Sequence, residues 1–181
     1  MARVPLLEGD ESPDMADLVE KIRSGRRGNV INVYKLLLHS PPVAENWFNL
    51  INTLRWGTEL PGRLREIVII RIAHLNRVEY VINQHVPKLA LADGLTLDEC
   101  DALVDWRATD CFNDAERAAL DYAEAMTRDI RVPDDIFAAL TPHYDDRKIV
   151  ELTALIGAYN MHNRMMQALD IDPEPPETSG I

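Results

Sequence analysis

The sequence predicts an all-α domain, a bundle of eight or nine helices around a central helical hairpin. Three observations carry this. Helix start and stop signals recur along the whole chain. Between them apolar residues return at helical spacing. The one run that could be a buried strand, Ile67 to Ile70, has no second strand to pair with and lies in an apolar stretch of more than three turns.

The elements follow in order. Ser12-Pro13 opens a helix with a capping residue and a proline at its first position, and Gly25 closes it. Met15, Leu18, Val19 and Ile22 give that helix an apolar face. A second helix runs from about Asn32 to His39 and stops at Ser40-Pro41-Pro42. A third, Val43 to Trp56, places Val43, Trp47, Leu50, Ile51 and Leu54 on one side before Gly57. Pro61-Gly62 precedes the helix Arg63 to Leu75. Asn76 with Glu79 three residues on predicts a capping box for the next helix, which runs to about Ala92 with Pro87 kinking it or ending its regular part. Thr96 with Glu99 and Asn113 with Glu116 form two more capping boxes. Pro133 starts a short helix ending near Thr141-Pro142. Asp145 or Asp146 caps the last and longest helix, which ends around Leu169. Residues 1–171 are expected as a single domain, and 172–181, with Pro173, Pro175 and Pro176, as a disordered tail.

Composition narrows the function classes. With 181 residues, 46 % hydrophobic and 27 % charged, the chain has the balance of one globular domain. The longest apolar run, Ile67 to Ile72, is broken by Arg71 and falls far short of the ~20 residues a membrane span needs, so no membrane partner is expected. Acids near the N-terminus where a signal peptide needs a basic start predict a cytoplasmic location. A net charge of −11 argues against nucleic acid, whose phosphates need a basic face. The cluster Arg23, Arg26 and Arg27 reads as a solvated helix end. Neither Cys100 nor Cys111 has a neighbour at metal-ligand or redox spacing. His74 and His85 lie about 16 Å apart along a helix, too far to share a metal. No metal or cofactor is expected.

Two polar residues stand out. Glu66 falls in the first turn of an otherwise apolar helix, and His85 shares a face with Val78, Val81 and Ile82. In a hairpin folded at Leu75-Asn76 both lie about ten residues from the turn and come level. A carboxylate beside an imidazole fixes its tautomer and stabilises its protonated form, which suits general acid or base work near neutral pH.

The run Arg65-Glu66-Ile67-Val68-Ile69-Ile70-Arg71, the pattern Glu79-Tyr80 followed by His85, and Asp93-Gly94-Leu95-Thr96 resemble the carboxymuconolactone decarboxylase family, which shares its fold with alkylhydroperoxidase D. The resemblance covers roughly Asn29 to Ile171 and includes His39-Ser40-Pro41, Tyr159-Asn160 and Arg164. It implies an alkylhydroperoxidase D-like bundle with Glu66 and His85 as the catalytic pair. The peroxidase-type branch adds a CxxC pair, and its cysteines fall here on Val78 and Val81. Without them no thiolate attacks peroxide and no disulfide cycles.

The resemblance therefore implies the decarboxylase-like branch, a cofactor-independent carbon–carbon lyase or isomerase acting on a small carboxylated or lactone-type compound of aromatic catabolism. Arg71 or Arg164 is expected to hold the substrate carboxylate. Val78 and Val81 are expected as apolar walls, and Tyr80, Tyr159 and Asn160 as further pocket residues. Glu79 is read chiefly as a cap. The resemblance also implies a homo-oligomer, a trimer or hexamer, and the three tryptophans and the Met-rich last helix agree with it. The alternatives are a peroxidase-like antioxidant protein and a non-catalytic oligomeric binding module.

Overall fold

A computed structural model describes residues 1–11 and 13–175. Ser12, the expected first cap, and 176–181 lie outside the described residues. Within them nine α-helices form and no strand: α1 (Ala16–Ser24), α2 (Asn32–Leu37), α3 (Pro41–Trp56), α4 (Gly62–Asn76), α5 (Glu79–His85), α6 (Leu97–Ala102), α7 (Asp114–Arg128), α8 (Asp134–Leu140) and α9 (Asp146–Leu169). Short 3₁₀ turns at Pro13–Met15 and Trp106–Ala108 complete the chain. No helix among the described residues is long and apolar enough to cross a membrane.

Helix α4 is the axle. All ten residues from Leu64 to Ala73 are buried, because α7, α9 and α5 pack around it, and a helix apolar on every side is stable only when enclosed. It separates two apolar clusters. Val68, Ile69 and Ile72 face the larger one, with α3 and α9; Ile67 and Ile70 face the smaller one, with Cys100, Leu103, Trp106 and Leu120. Each fully buried isoleucine contributes about 1.5–3 kcal/mol. The alanines of α7 (Ala118, Ala119, Ala123) are buried and give α4 a smooth face to lie on.

The capping boxes at Thr96/Glu99 and Asn113/Glu116 form, and Asp145 accepts a 2.8 Å bond from the Lys148 N–H. The expected box at Asn76/Glu79 does not. Helix α4 continues through Asn76, whose side-chain amide donates to Asn160 Oδ1 at 3.1 Å. The chain then turns through Arg77 in the left-handed region (φ 57°), and α5 starts without a side-chain cap. Glu79 is left exposed.

The regular part of α5 ends at His85, and Val86–Ala90 widen into a π turn. Pro87 is the physical reason, since its ring collides with the carbonyl four residues back in a regular turn and it has no N–H to donate. On α3, Trp47, Ile51 and Leu54 are buried as expected, but Val43 and Leu50 are exposed. Of the stretch expected as a tail, Asp172 and Pro173 accept bonds from the Asn32 side chain and Glu174 accepts the Asn32 N–H at 2.6 Å.

Candidate active site

Glu66 is fully buried, and its Oε2 lies 2.5 Å from His85 Nδ1. The hairpin brings these two side chains level, and the contact commits Nδ1 to the carboxylate. The other oxygen, Oε1, lies 3.4 Å from Arg65 Nε and 3.9 Å from Arg55 Nη2. Burial alone would raise the carboxyl pKa. The combined pull of His85, Arg55 and Arg65 exceeds it and holds Glu66 below its ordinary value, so it is ionised at neutral pH.

Arg65 is itself fixed. Its Nη1 donates to the Arg55 carbonyl at 2.7 Å and its Nη2 to Asp93 at 2.5 Å. Asp93 reaches it because Gly62, the first residue of α4, has no side chain; a Cβ there would collide with the Asp93 carboxylate.

The His85 ring lies edge-on to Tyr159, with centroids 5.7 Å apart, and lines a cavity of about 40 Å³. Tyr80, Val81 and Tyr159 share that lining with residues the sequence reading did not single out for the site: Arg26, Tyr34, Arg55, Gln84 and His162. With Nδ1 held by Glu66, Nε2 is the His85 nitrogen left to act on a molecule in the cavity.

The remaining expected residues lie elsewhere. Arg71 is buried across the bundle, where its Nε donates to Glu124 at 2.7 Å and its Nη1 to the Leu103 and Val104 carbonyls at 2.8 Å. Trp106 and Arg107 complete that cluster on Glu124, so Arg71 has no free fork for a substrate. Val78 packs in the core outside the cavity lining. Asn160 donates to Thr127 Oγ1 and the Ile156 carbonyl, holding α9 against its neighbours. Arg164 is exposed.

Conversely, Arg26 is no solvated helix end. It is buried, donates at 2.6 Å to both Tyr34 OH and Asn52 Oδ1, and stacks over Phe48. Arg55 could have been found, because it follows Ile51 by four residues and so shares the buried face of α3. His162 follows Tyr159 by three on α9. Arg26 lies beyond the end of its helix and carries no such signal.

The thiols are remote from this chemistry. Cys100 is buried in the smaller cluster, and burial pushes its pKa up to about 11, so it stays protonated; Cys111 is exposed. Among the described residues no group of three or more His, Cys, Asp or Glu side chains could hold a metal ion.

Residues 41–125, which include both Glu66 and His85, match the sequence model of the carboxymuconolactone decarboxylase family. The chain is 31 % identical over 107 residues to the uncharacterised protein YdfG of Bacillus subtilis, a match spanning 58 % of this chain and 72 % of that protein. The chain belongs to the carboxymuconolactone decarboxylase family. A second relative, the uncharacterised YnjA of Escherichia coli, is 38 % identical over 109 residues. That match covers 60 % of this chain and only 59 % of YnjA.

Solved structures place this family member among alkylhydroperoxidase D-like folds. A peroxidase-related protein from Silicibacter superposes with a TM-score of 0.82 at 23 % identity, over 96 % of this chain and 92 % of that one. A protein from Agrobacterium tumefaciens described as a putative antioxidant defence protein AhpD gives 0.72 at 28 % identity, over 80 % and 97 %.

Proposed function

We propose that this protein is a cofactor-independent lyase or isomerase acting on a small carboxylated or lactone-type compound, with Glu66 and His85 as its acid–base pair. The observation that carries this reading is the buried 2.5 Å contact between Glu66 and His85 Nδ1 at the wall of a small cavity. In a decarboxylation the bond to the carboxylate breaks and carbon dioxide leaves. The electron pair moves into the conjugated carbonyl. His85 then returns a proton from Nε2 to the carbanionic carbon and is recharged from solvent. Glu66 stays ionised throughout and offsets the imidazolium charge. The protonated Cys100 and the valines at 78 and 81 support this reading over a thiol peroxidase.

Self-association as a trimer or hexamer belongs to the same proposal. Exposed Val43, Leu50 and Met161 beside Trp47 line an apolar groove that would support it.

The test is a screen of lactones and small unsaturated acids against the purified chain, followed by ultraviolet absorbance. His85→Asn is expected to lower the rate at least about 100-fold, the low end for general acid–base catalysis. The double variant Cys100→Ala/Cys111→Ser is expected to keep it. Full activity in His85→Asn would remove the acid–base reading; peroxide turnover that disappears in the cysteine variant would replace it with thiol chemistry.

A further inference from the structure

We propose that Arg55 anchors a small organic monoanion, its carboxylate seated on the unpartnered Nε–Nη2 edge of this guanidinium at the wall of the His85 cavity. This deepens the reading above and rests on it for the chemistry, though not for the binding itself.

Arg55 is only 7 % exposed and lines the cavity, yet its Nε and Nη2 are buried with no hydrogen-bond partner. These two nitrogens form one edge of the guanidinium, the fork that receives both oxygens of a carboxylate side-on. Its nearest acid, Glu66, is 3.9 Å away, beyond hydrogen-bond reach, and is already committed to His85. A buried guanidinium with two orphaned donors is strongly disfavoured unless something supplies the acceptors.

The charge balance points the same way. Arg26 and Arg55 both line the cavity, and the hydrogen bonds of Arg26 go to neutral oxygens of Gly25, Tyr34 and Asn52. Arg65 behind them is matched by Asp93. That leaves Glu66 as the counter-charge at the wall, shared among His85, Arg55 and Arg65. A second acid, Glu174, accepts from the hydroxyl of the lining residue Tyr80. His162 stays neutral, its pKa pushed down to about 3 by burial and by His85, Arg55 and Arg26. Arg55 therefore has only a shared counter-charge, and a bound monoanion would give it one of its own.

Size and placement agree. A cavity of about 40 Å³ takes roughly three water-sized atoms, the size of a carboxylate head. Because Arg55 and His85 approach the two oxygens of the same Glu66 carboxylate, an anion on Arg55 lies beside the imidazole. Arg71 and Arg164, the arginines the sequence pointed to, are not part of this wall.

The experiment titrates the full chain with acetate in carboxylate-free buffer, read by the fluorescence of Trp56, whose ring lies 4.7 Å from the Arg55 guanidinium carbon, and by calorimetry. Acetamide is the neutral isostere. Acetate is expected to bind and acetamide not. Arg55→Gln is expected to weaken acetate at least about tenfold, the value of one hydrogen bond to a charged group. Should Arg55→Gln not fold, Arg55→Lys keeps a cation but loses the fork, and weakened acetate binding there supports the anchor equally. Absence of acetate binding, equal binding of acetamide, or acetate affinity unchanged in the folded Arg55 variant would overturn it. The two readings fail separately: turnover lost in His85→Asn without acetate binding removes only the anchor, and acetate binding with turnover intact in His85→Asn removes only the acid–base pair.

Discussion

Two side chains on facing helices, Glu66 fully buried and His162 half-buried, are each held to one protonation state by their surroundings. At Glu66 burial favours the proton, and the pull of His85, Arg55 and Arg65 outweighs it. At His162 burial acts against the proton, and so do His85, Arg55 and Arg26, so its pKa falls from 6.5 to about 3. Both groups have folded pKa values below their unfolded ones, so both contribute stability that is present above the unfolded pKa and lost as pH falls through the folded one. For His162 that loss begins below pH 6.5, whereas for Glu66 it begins only below about pH 4.5. Thermal melts are therefore expected to fall between pH 6.5 and 4.5 more steeply in the wild type than in His162→Gln, which fills a similar volume between Trp47 and Tyr159. Equal slopes would mean that His162 is protonated in the folded state. Glu66 was legible in the sequence as an acid in an apolar helix. His162 carried only the weaker signal of following Tyr159 by three residues, and spacing alone does not say which face of α9 meets the cavity.

Helix α9 shows how far spacing reaches and where it stops. Its start at Asp145 and its end at Leu169 were both readable from caps and period. Which of its polar residues turn inward depends on what faces them: Tyr159 meets the cavity, Asn160 meets Thr127 and Asn76, and Arg164 meets solvent. The helix also carries Gly157, exposed in its middle, where an added Cβ would meet nothing within 4 Å. Gly157→Ala is expected to stabilise the protein by about 0.5–1 kcal/mol, since alanine lowers the entropy of the unfolded chain at no steric cost. A melting temperature raised by a few degrees with unchanged activity is the expected result, and a lowered one would show that this face of α9 is covered in solution. At the α4–α5 turn the local signal misled. Asn76 and Glu79 have the spacing of a capping box, but α4 runs on through Asn76, so its backbone is helical where a cap needs an extended residue, and α5 starts only after Val78.

At the scale of the molecule α4 divides the interior into unequal halves with different roles. On one side Arg71, Trp106 and Arg107 converge on Glu124 and lock α4, α7 and the Trp106–Ala108 turn together. On the other side lie the cavity and its unmatched arginines. Beyond these halves the apolar groove of Pro42, Val43, Trp47, Leu50 and Met161 faces outward between α3 and α9. Light scattering at tens of micromolar is expected to give a trimer or hexamer, with Leu50→Glu shifting it toward the monomer. A strict monomer in the unsubstituted chain would remove the oligomeric part of the proposal.

The amino-acid order alone determined the all-helical class of eight or nine helices, most of their punctuation, and the level placement of Glu66 and His85. These follow from local rules: caps and prolines act within one turn, helical period is a property of a single segment, and a tight hairpin places residues equidistant from its turn side by side. The tertiary structure decided which arginine does what. Arg71 meets a partner 53 residues away in Glu124, while Arg55 and Arg26 end at the cavity wall. A guanidinium reaches its partner across helix packing, and packing is settled by the shape of every face at once. No spacing along the chain encodes it.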